Sequence, residues 1–303
     1  MKKKLLALTL ALTLCAALTP VLAASGGTKP GAPEAEHFEL KTYRETSLGG
    51  QLRASDPEGK PVTFRLTTEP MKGSVVIEAG GAFVYTPGKG ERGKDYFGYK
   101  AVDADGNESD EETVIITIEK KQPAVSYADM ADRPEAYAAA RLAEEQLFTG
   151  RQVAGTALFE PDEVLSREDF LALCLTAGGE SVLQSVRSTG FGDDNAISAW
   201  SKRFVSTGVL SGSVQGYTTG TAMVFDPARP ITRAEAAVML DRTFALSADG
   251  EQPVMQLDAV PAWAQQSVAR LTQARVYPAG ANAFSPLTRA EAAQMLVNAM
   301  DAA

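Results

Sequence analysis

The chain has 303 residues with 29 Lys and Arg against 38 Asp and Glu, a formal net charge of −9 with its single histidine neutral. That balance excludes the broad basic footprint of a nucleic-acid binder. The length suits about two domains. Three lysines (Lys2, Lys3, Lys4) open the chain, an apolar run from Leu5 to Leu18 follows, and Val21-Leu22-Ala23 supplies small residues. This order predicts a secretory signal peptide over residues 1–23, cleaved after Ala23. Pro20 interrupts the run short of the roughly 20 apolar residues that a membrane span needs. Leu14 stands before Cys15 where a lipoprotein signal needs a small residue. Cleavage leaves 26 basic against 38 acidic residues, a balance of −12. Only Cys174 then remains, so no internal disulfide forms, and its setting in "LALCL" reads as a buried small hydrophobe.

Residues 24–35 read as a linker, and residues 36–120 alternate with period two. "VTFRLTT", "SVVIE", "AFVYTP", "DYFGYKAV" and "TVIITIE" are separated by the turn-rich "DPEGKP", "AGG", "PGKGERG" and "DADGN". Short alternating runs at this spacing predict an antiparallel β-sandwich. "ASDPEGKPVTFRL", "GGAFVYTP" and "DYFGYKAVDADGNESD" resemble the bacterial cadherin-like and Ig-like repeats of surface proteins. Some such repeats bind calcium, which makes Asp56, Glu58, Asp103 and Asp105 candidate ligands. The spacing argues against a calcium loop of the twelve-residue kind, because Gly106 and Val114 stand at the wrong places. An Asp-Gly turn explains the same residues. "GKGERGKD" nearly matches a phosphate-binding loop, but Asp95 replaces the metal-binding hydroxyl and a strand follows.

A short linker (121–126) leads to helical patterning that repeats. Asp129, Asp193 and Asp258 fall 64 and 65 residues apart, and a period this regular predicts copies of one supersecondary unit. The units run over 127–182, 191–246 and 257–303. Each reads as an Asp, a helix, a Gly-containing loop, a Phe-x-Pro and a second helix. "SREDF", "ITRAEAAVML" and "LTRAEAAQML" begin the second helices. These motifs, in this order, resemble the S-layer homology family, usually three tandem repeats. The resemblance implies an all-α, pseudo-threefold set of helix-loop-helix units after the sandwich. It also implies non-covalent attachment to secondary cell-wall polysaccharide, commonly pyruvylated.

Within the motif, Thr232 with Glu235 and Thr288 with Glu291 form capping boxes, and Ser166 with Asp169 a weaker one. Arg167, Arg233 and Arg289 sit in the first helical turn, where a cation opposes the helix dipole. Either an anionic ligand shares free helix-start amides with the guanidinium, or the arginine pairs with a neighbouring repeat. The resemblance favours ligand contact. Trp200 and Trp263, matched by Tyr137 in the first unit, are expected in the first helices as core or as a sugar-facing wall. Asp129, Asp193 and Asp258 read as caps of the following helices, with a carbohydrate hydroxyl as a second partner. Gly150 and Gly212 read as left-handed helix ends whose backbone also faces the groove. The third unit reads as shortened between Phe284 and Arg289. The groove with Arg233 and Trp200 is expected to be the best.

No nucleophile elbow or metal-spaced His/Cys cluster is present, and His37 has no catalytic partner in view. The chain is therefore read as a secreted, non-enzymatic cell-surface protein without cofactor, displaying the sandwich from the wall. "MLVNAMDAA" carries no sortase-type signal, which fits anchoring by affinity. A structural S-layer lattice component and an envelope-associated polysaccharide-processing enzyme or subunit are the alternatives. The partner of the sandwich is left open.

Overall fold

A computed structural model describes residues 31–78, 80–246, 259–278 and 280–303. The signal peptide, Leu257 and Asp258 lie outside these residues. The chain first lays down β1 (Glu34–Ala35), β2 (Phe38–Thr42), β3 (Leu48–Gln51), β4 (Ala54–Ser55), β5 (Thr63–Thr68), β6 (Gly73–Ile77), β7 (Ala82–Pro87), β8 (Gly93–Val102) and β9 (Glu112–Ile118). One sheet has the order β2-β9-β8-β5 and the other β3-β7-β6, with β1 and β4 as a small separate pair. The alternation produces this sandwich: Phe83, Tyr85, Phe97, Tyr99, Val114, Ile116 and Ile118 all point inward and are almost wholly buried. One pairing departs from the antiparallel expectation, since β2 runs parallel to β9 with Phe38 opposite Val114.

Asp95, in the near-match to a phosphate loop, is buried and accepts from Tyr85 Oη (2.8 Å), Met71 N (3.0 Å) and Lys72 N (2.9 Å). It fastens a turn to the sheet, as a buried carboxylate must find donors. The candidate calcium residues Asp56, Glu58, Asp103 and Asp105 have partners within the protein. The Lys60 ammonium sits between Glu58 and Asp105. Asp103 accepts from the amides of Asp105 (2.9 Å) and Asn107 (2.8 Å), and Asp56 from those of Glu58 and Lys60 (both 2.9 Å). The ammonium thus lies between two of these carboxylates, while Asp56 Oδ1 and both Asp103 oxygens accept from N–H donors. Among the described residues, no group of three or more His, Cys, Asp or Glu is arranged to hold a metal ion.

The helical half follows. A 3-10 turn (Ala128–Met130), α1 (Ala136–Glu144), a hairpin of β10 (Arg151–Val153) and β11 (Thr156–Leu158), and α2 (Arg167–Ala177) make the first unit. Then come α3 (Lys202–Ser211), a hairpin of β12 (Tyr217–Thr219) and β13 (Ala222–Val224), and α4 (Arg233–Phe244), and finally α5 (Gln265–Gln273) and α6 (Arg289–Ala302). The first two units thus carry a small hairpin that the all-helical expectation omitted. Just before α2, α4 and α6, three residues close a ring of main-chain hydrogen bonds. Leu165 N donates to Leu287 O (3.1 Å), Leu287 N to Ile231 O (2.9 Å), and Ile231 N to Leu165 O (3.0 Å). Their side chains are buried together, and this ring is the pseudo-threefold centre. Cys174 lies in the helical core, where burial pushes its thiol up to about 12.

Equivalent helix ends bring out a difference in the third unit. Residues in the left-handed conformation close all three first helices: Gln146 (φ 58°), Gly212 (φ 80°) and Arg275 (φ 62°). Beyond them the first two units run from Phe148 to Pro161 and from Val214 to Pro227 through their hairpins, whereas the third runs directly from Tyr277 to Ala283. The shortening therefore lies at the hairpin, not between Phe284 and Arg289. Phe159 and Phe225 are fully buried, while Phe284 is exposed and does not take their place.

The sandwich packs on the first unit. Gly49 N donates to Pro134 O (2.7 Å) and Tyr137 N to Ser47 O (3.1 Å). The rings of Tyr43 and Tyr137 lie 5.2 Å apart, and Tyr43 Oη donates to Glu144 (2.7 Å).

Candidate functional site

The second-helix starts carry the repeated motif, and the capping boxes form there as expected. Thr232 Oγ1 accepts from Glu235 N (3.3 Å) while Glu235 accepts from Thr232 N (3.0 Å); Thr288 and Glu291 repeat this at 3.3 and 3.1 Å. Ser166 accepts from Asp169 N at 3.2 Å and makes only half the box.

The first two amides of each of these helices are not free. Arg167 N and Glu168 N donate to Arg229 O and Pro227 O (both 3.0 Å). Arg233 N and Ala234 N donate to Ser285 O (3.1 Å) and Ala283 O (3.0 Å), and Arg289 N and Ala290 N to Glu163 O (2.8 Å) and Pro161 O (3.0 Å). Each unit thus docks its helix start on the loop of the next, and the third closes on the first. An anion finds no vacant helix-start amide here.

The motif arginines follow the same cycle. Arg167 is buried, with Nε on Phe225 O (3.0 Å), Nη2 on Gln215 O (2.8 Å) and Nη1 on Glu235 (3.2 Å). Arg289 places Nε on Phe159 O (2.8 Å) and Nη2 on Thr149 O (3.2 Å), and lies over the rings of Phe148 and Phe159. Arg233 reaches Asn282 O (3.3 Å) and pairs with Glu291. Burial holds Arg167 and Arg289 below the usual guanidinium range. The cation on the unfavourable end of the dipole is thus explained by carbonyl and carboxylate acceptors of the neighbouring unit.

Asp129 and Asp193 do not cap the helices that follow them. Asp129 accepts from Phe159 N (2.8 Å) and Glu160 N (2.7 Å), and Asp193 from Phe225 N (2.9 Å) and Asp226 N (2.7 Å). Each clamps the Phe-x-Pro loop of its own unit, where Glu160 and Asp226 take positive φ. Gly150 is corrected too. It is not a left-handed helix end; its N–H donates to Tyr127 Oη (2.9 Å), and a Cβ would lie 2.1 Å from Leu158 O. Close backbone approach requires glycine there. Gly212 is the left-handed end expected.

Trp200 and Trp263 stand in the turns before α3 and α5 rather than inside those helices, 49% and 60% exposed. Their counterpart in the first unit is Pro134, against which Gly49 packs. Tyr137 is instead buried inside α1.

These pieces leave a groove of 610 Å³ lined by Arg167, Tyr217, Arg229, Glu235, Arg242 and Trp263 among others. Arg167 and Trp263 therefore meet in one groove, drawn from the first and third units, with the second as its floor. Arg229 holds Glu235 through two nitrogens (3.1 and 2.6 Å) and Asp226 through Nε (3.1 Å), and lies over the Tyr217 ring. Arg242, in the last turn of α4, is exposed and touches Gly212 O at 3.3 Å. Sequence reading missed both arginines. They recur in no other unit, and arginine content does not mark them, since the first unit has as many arginines as the second.

Residues 30–120 match the bacterial cadherin-like domain, and residues 190–237 the S-layer homology domain. The chain is 32% identical over 140 residues to the Surface-layer 125 kDa protein of Lysinibacillus sphaericus, covering 45% of this chain and 12% of that one. Among solved structures, an endo-fucoidan hydrolase of glycoside hydrolase family 107 is 18% identical over 30% of this chain and 14% of its own (TM-score 0.26). The SrpA adhesin from Streptococcus sanguinis is 19% identical over 33% of this chain and 65% of its own (TM-score 0.23). The Clostridium thermocellum CbhA fibronectin(III)-like modules are 18% identical over 29% of this chain and 95% of their own (TM-score 0.20). A cadherin-like β-sandwich is thus followed by a helical S-layer homology region. Both are structural or adhesive rather than catalytic, and they belong to a cell-surface, envelope-associated protein. No described helix is long and apolar enough to cross a membrane.

Proposed function

We propose that this chain is a constituent of a bacterial surface layer, held non-covalently on the envelope by its helical half. On this reading all three helical units are S-layer homology repeats, and their ligand is an acidic, pyruvylated secondary cell-wall polysaccharide. The observation that carries it is the groove between the units. An acidic pyranose needs an apolar ring face, cations and some hydrogen-bonding edges, and Trp263 beside Arg167, Arg229 and Arg242 supplies that combination. Trp200 and Trp263 act as sugar-facing aromatics, and Arg233 and Arg289 hold the frame that carries them. Gly150, Gly212, Asp129 and Asp193 shape the loops around the grooves, and Asp258 is given the same clamping role by its place in the repeat.

A lattice role is favoured over simple tethering by the likeness to a surface-layer protein. Co-sedimentation of the full secreted chain with purified walls tests attachment. Binding to untreated walls, lost after mild acid removes pyruvyl groups, is expected; equal pelleting with both would remove pyruvate from the proposal. Negative-stain images of the chain on wall fragments then separate a periodic layer from scattered tethers.

A further inference from the structure

The three grooves are related by the pseudo-threefold axis, yet their charges differ. Counting from the motif arginines, Arg229 corresponds to Glu163 in the first unit and Ser285 in the third. Arg242 corresponds to Thr176 and Asn298, and Glu235 to Asp169 and Glu291. One groove therefore brings three guanidiniums to a single carboxylate at these positions. At the position built on Arg289 the matching residues are Glu163, Asp169 and Thr176. At the position built on Arg233 they are Ser285, Glu291 and Asn298, and the ion pair of Arg233 with Glu291 cancels its charge.

The three motif arginines are also already engaged. Arg167 and Arg289 give their Nε and Nη2 atoms to carbonyls of the neighbouring unit, and Arg233 gives Nη1 to Asn282 O and Nη2 to Glu291. Removing Arg167 or Arg289 to serve a ligand would leave the carbonyl of the buried Phe225 or Phe159 without its donor. Arg242 is in the opposite condition. It is exposed, its one hydrogen bond among the described residues is a long contact to Gly212 O, and it shares the groove wall with Trp263.

We infer that the acidic group of the glycan is held by Arg242, with Arg229 as its second cation, in the groove carrying Trp263. The motif arginines are staples between units, and this groove is the one anion-binding groove of the three. The inference rests on the wall-glycan reading above and adds which residues recognise the charge. A pyranose stacked on Trp263 would turn a carboxylate toward Arg242, whose planar fork accepts both oxygens. Arg229 remains tied to Glu235 and contributes field more than contact.

Isothermal titration of the full secreted chain tests this, using a 4,6-pyruvylated hexosamine methyl glycoside and its pyruvate-free counterpart as probes. One site per chain is expected. Arg242→Gln should weaken binding of the pyruvylated probe about tenfold or more, the scale of a charge-assisted hydrogen bond. It should leave the melting temperature and the affinity for the pyruvate-free probe unchanged, and Arg242→Lys should recover part of the loss. Arg289→Gln should lower the melting temperature while folded molecules keep the wild-type affinity. Undiminished affinity in Arg242→Gln, or two or three equal sites per chain, overturns the inference. If the wild type pellets with pyruvylated walls while Arg242→Gln pellets equally, the wall reading stands and only this assignment falls. If the wild type binds neither walls nor probe, both fall.

Discussion

The starts of α1 and α3 occupy equivalent places in two successive units, yet different partners hold them. At α1, Glu135 supplies no side-chain cap. The Tyr137 amide is taken by Ser47 O, Pro134 O accepts from Gly49, and Tyr137 packs on Tyr43 of the sandwich. At α3, Ser198 and Ser201 bind Glu168 of the preceding unit, and Lys202 binds Asp194 (2.6 Å). That local arrangement leaves Trp200 half exposed beside it. The second-helix starts, by contrast, dock their first two amides on the next unit alike in all three units. The repeats share a frame where they meet each other and diverge where each meets something else. Function is therefore to be sought at the positions that do not repeat.

The largest expected effect comes from prising the sandwich off α1. A Cβ on Gly49 would stand 2.5 Å from Pro134 Cβ and 3.1 Å from its backbone. Gly49→Val should cost about 1–3 kcal/mol, the usual scale of overpacking. Most of it should appear as loosening of the contact, because the strand itself accommodates valine. Hydrogen exchange should then rise at the Tyr137 amide and stay unchanged in α3. Equal protection of Tyr137 in variant and wild type would show that the sandwich does not seal this helix. A smaller effect is expected of Tyr43→Phe, which removes the hydrogen bond to Glu144. Lys121 still pairs with that carboxylate at 2.7 Å, so the loss should be about 1 kcal/mol by denaturant titration. A larger loss would mean that Lys121 cannot hold Glu144 alone.

Much of the frame was legible in the sequence because its signals are local. Alternation from Val114 to Ile118 reports a strand within one turn of the pleat, and Thr232 and Glu235 report a cap three residues long. What was missed depends on partners distant in the chain and chemically anonymous. Arg167 and Arg289 bind backbone carbonyls, and Asp129 and Asp193 bind amides about thirty residues on. Any residue type offers those groups, so no pattern marks them. The parallel pairing of β2 with β9 joins the two ends of the sandwich and is equally silent. Phe284 misled by letter: "FSP" repeats the motif but lies beyond the loop position that Phe159 and Phe225 fill. Arg229 and Arg242 escaped because a search for repetition passes over what occurs once.

The smallest effect sharpens the comparison through pH. Asp194 accepts from Thr189 N (2.7 Å) and Thr189 Oγ1 (2.8 Å) as well as from Lys202. The Lys202 ammonium first, and then these two donors, hold its carboxyl down to about 2. An unfolded aspartate titrates near 3.9. The folded value is the lower one, so folding favours the ionised form. This contribution is complete above about pH 4 and is lost as pH falls through about 2. Asp194→Asn lacks the titrating group, so its melting temperature should fall below that of the wild type at pH 6 and meet it near pH 2. A gap that persists unchanged at pH 2 would assign the loss to geometry instead of charge. The main-chain bonds from Ser47 and Gly49 that seal α1 have no proton to gain in this range. Amide exchange in the first turn of α3 should therefore quicken between pH 4 and pH 2, relative to its intrinsic rate, more in the wild type than in Asp194→Asn.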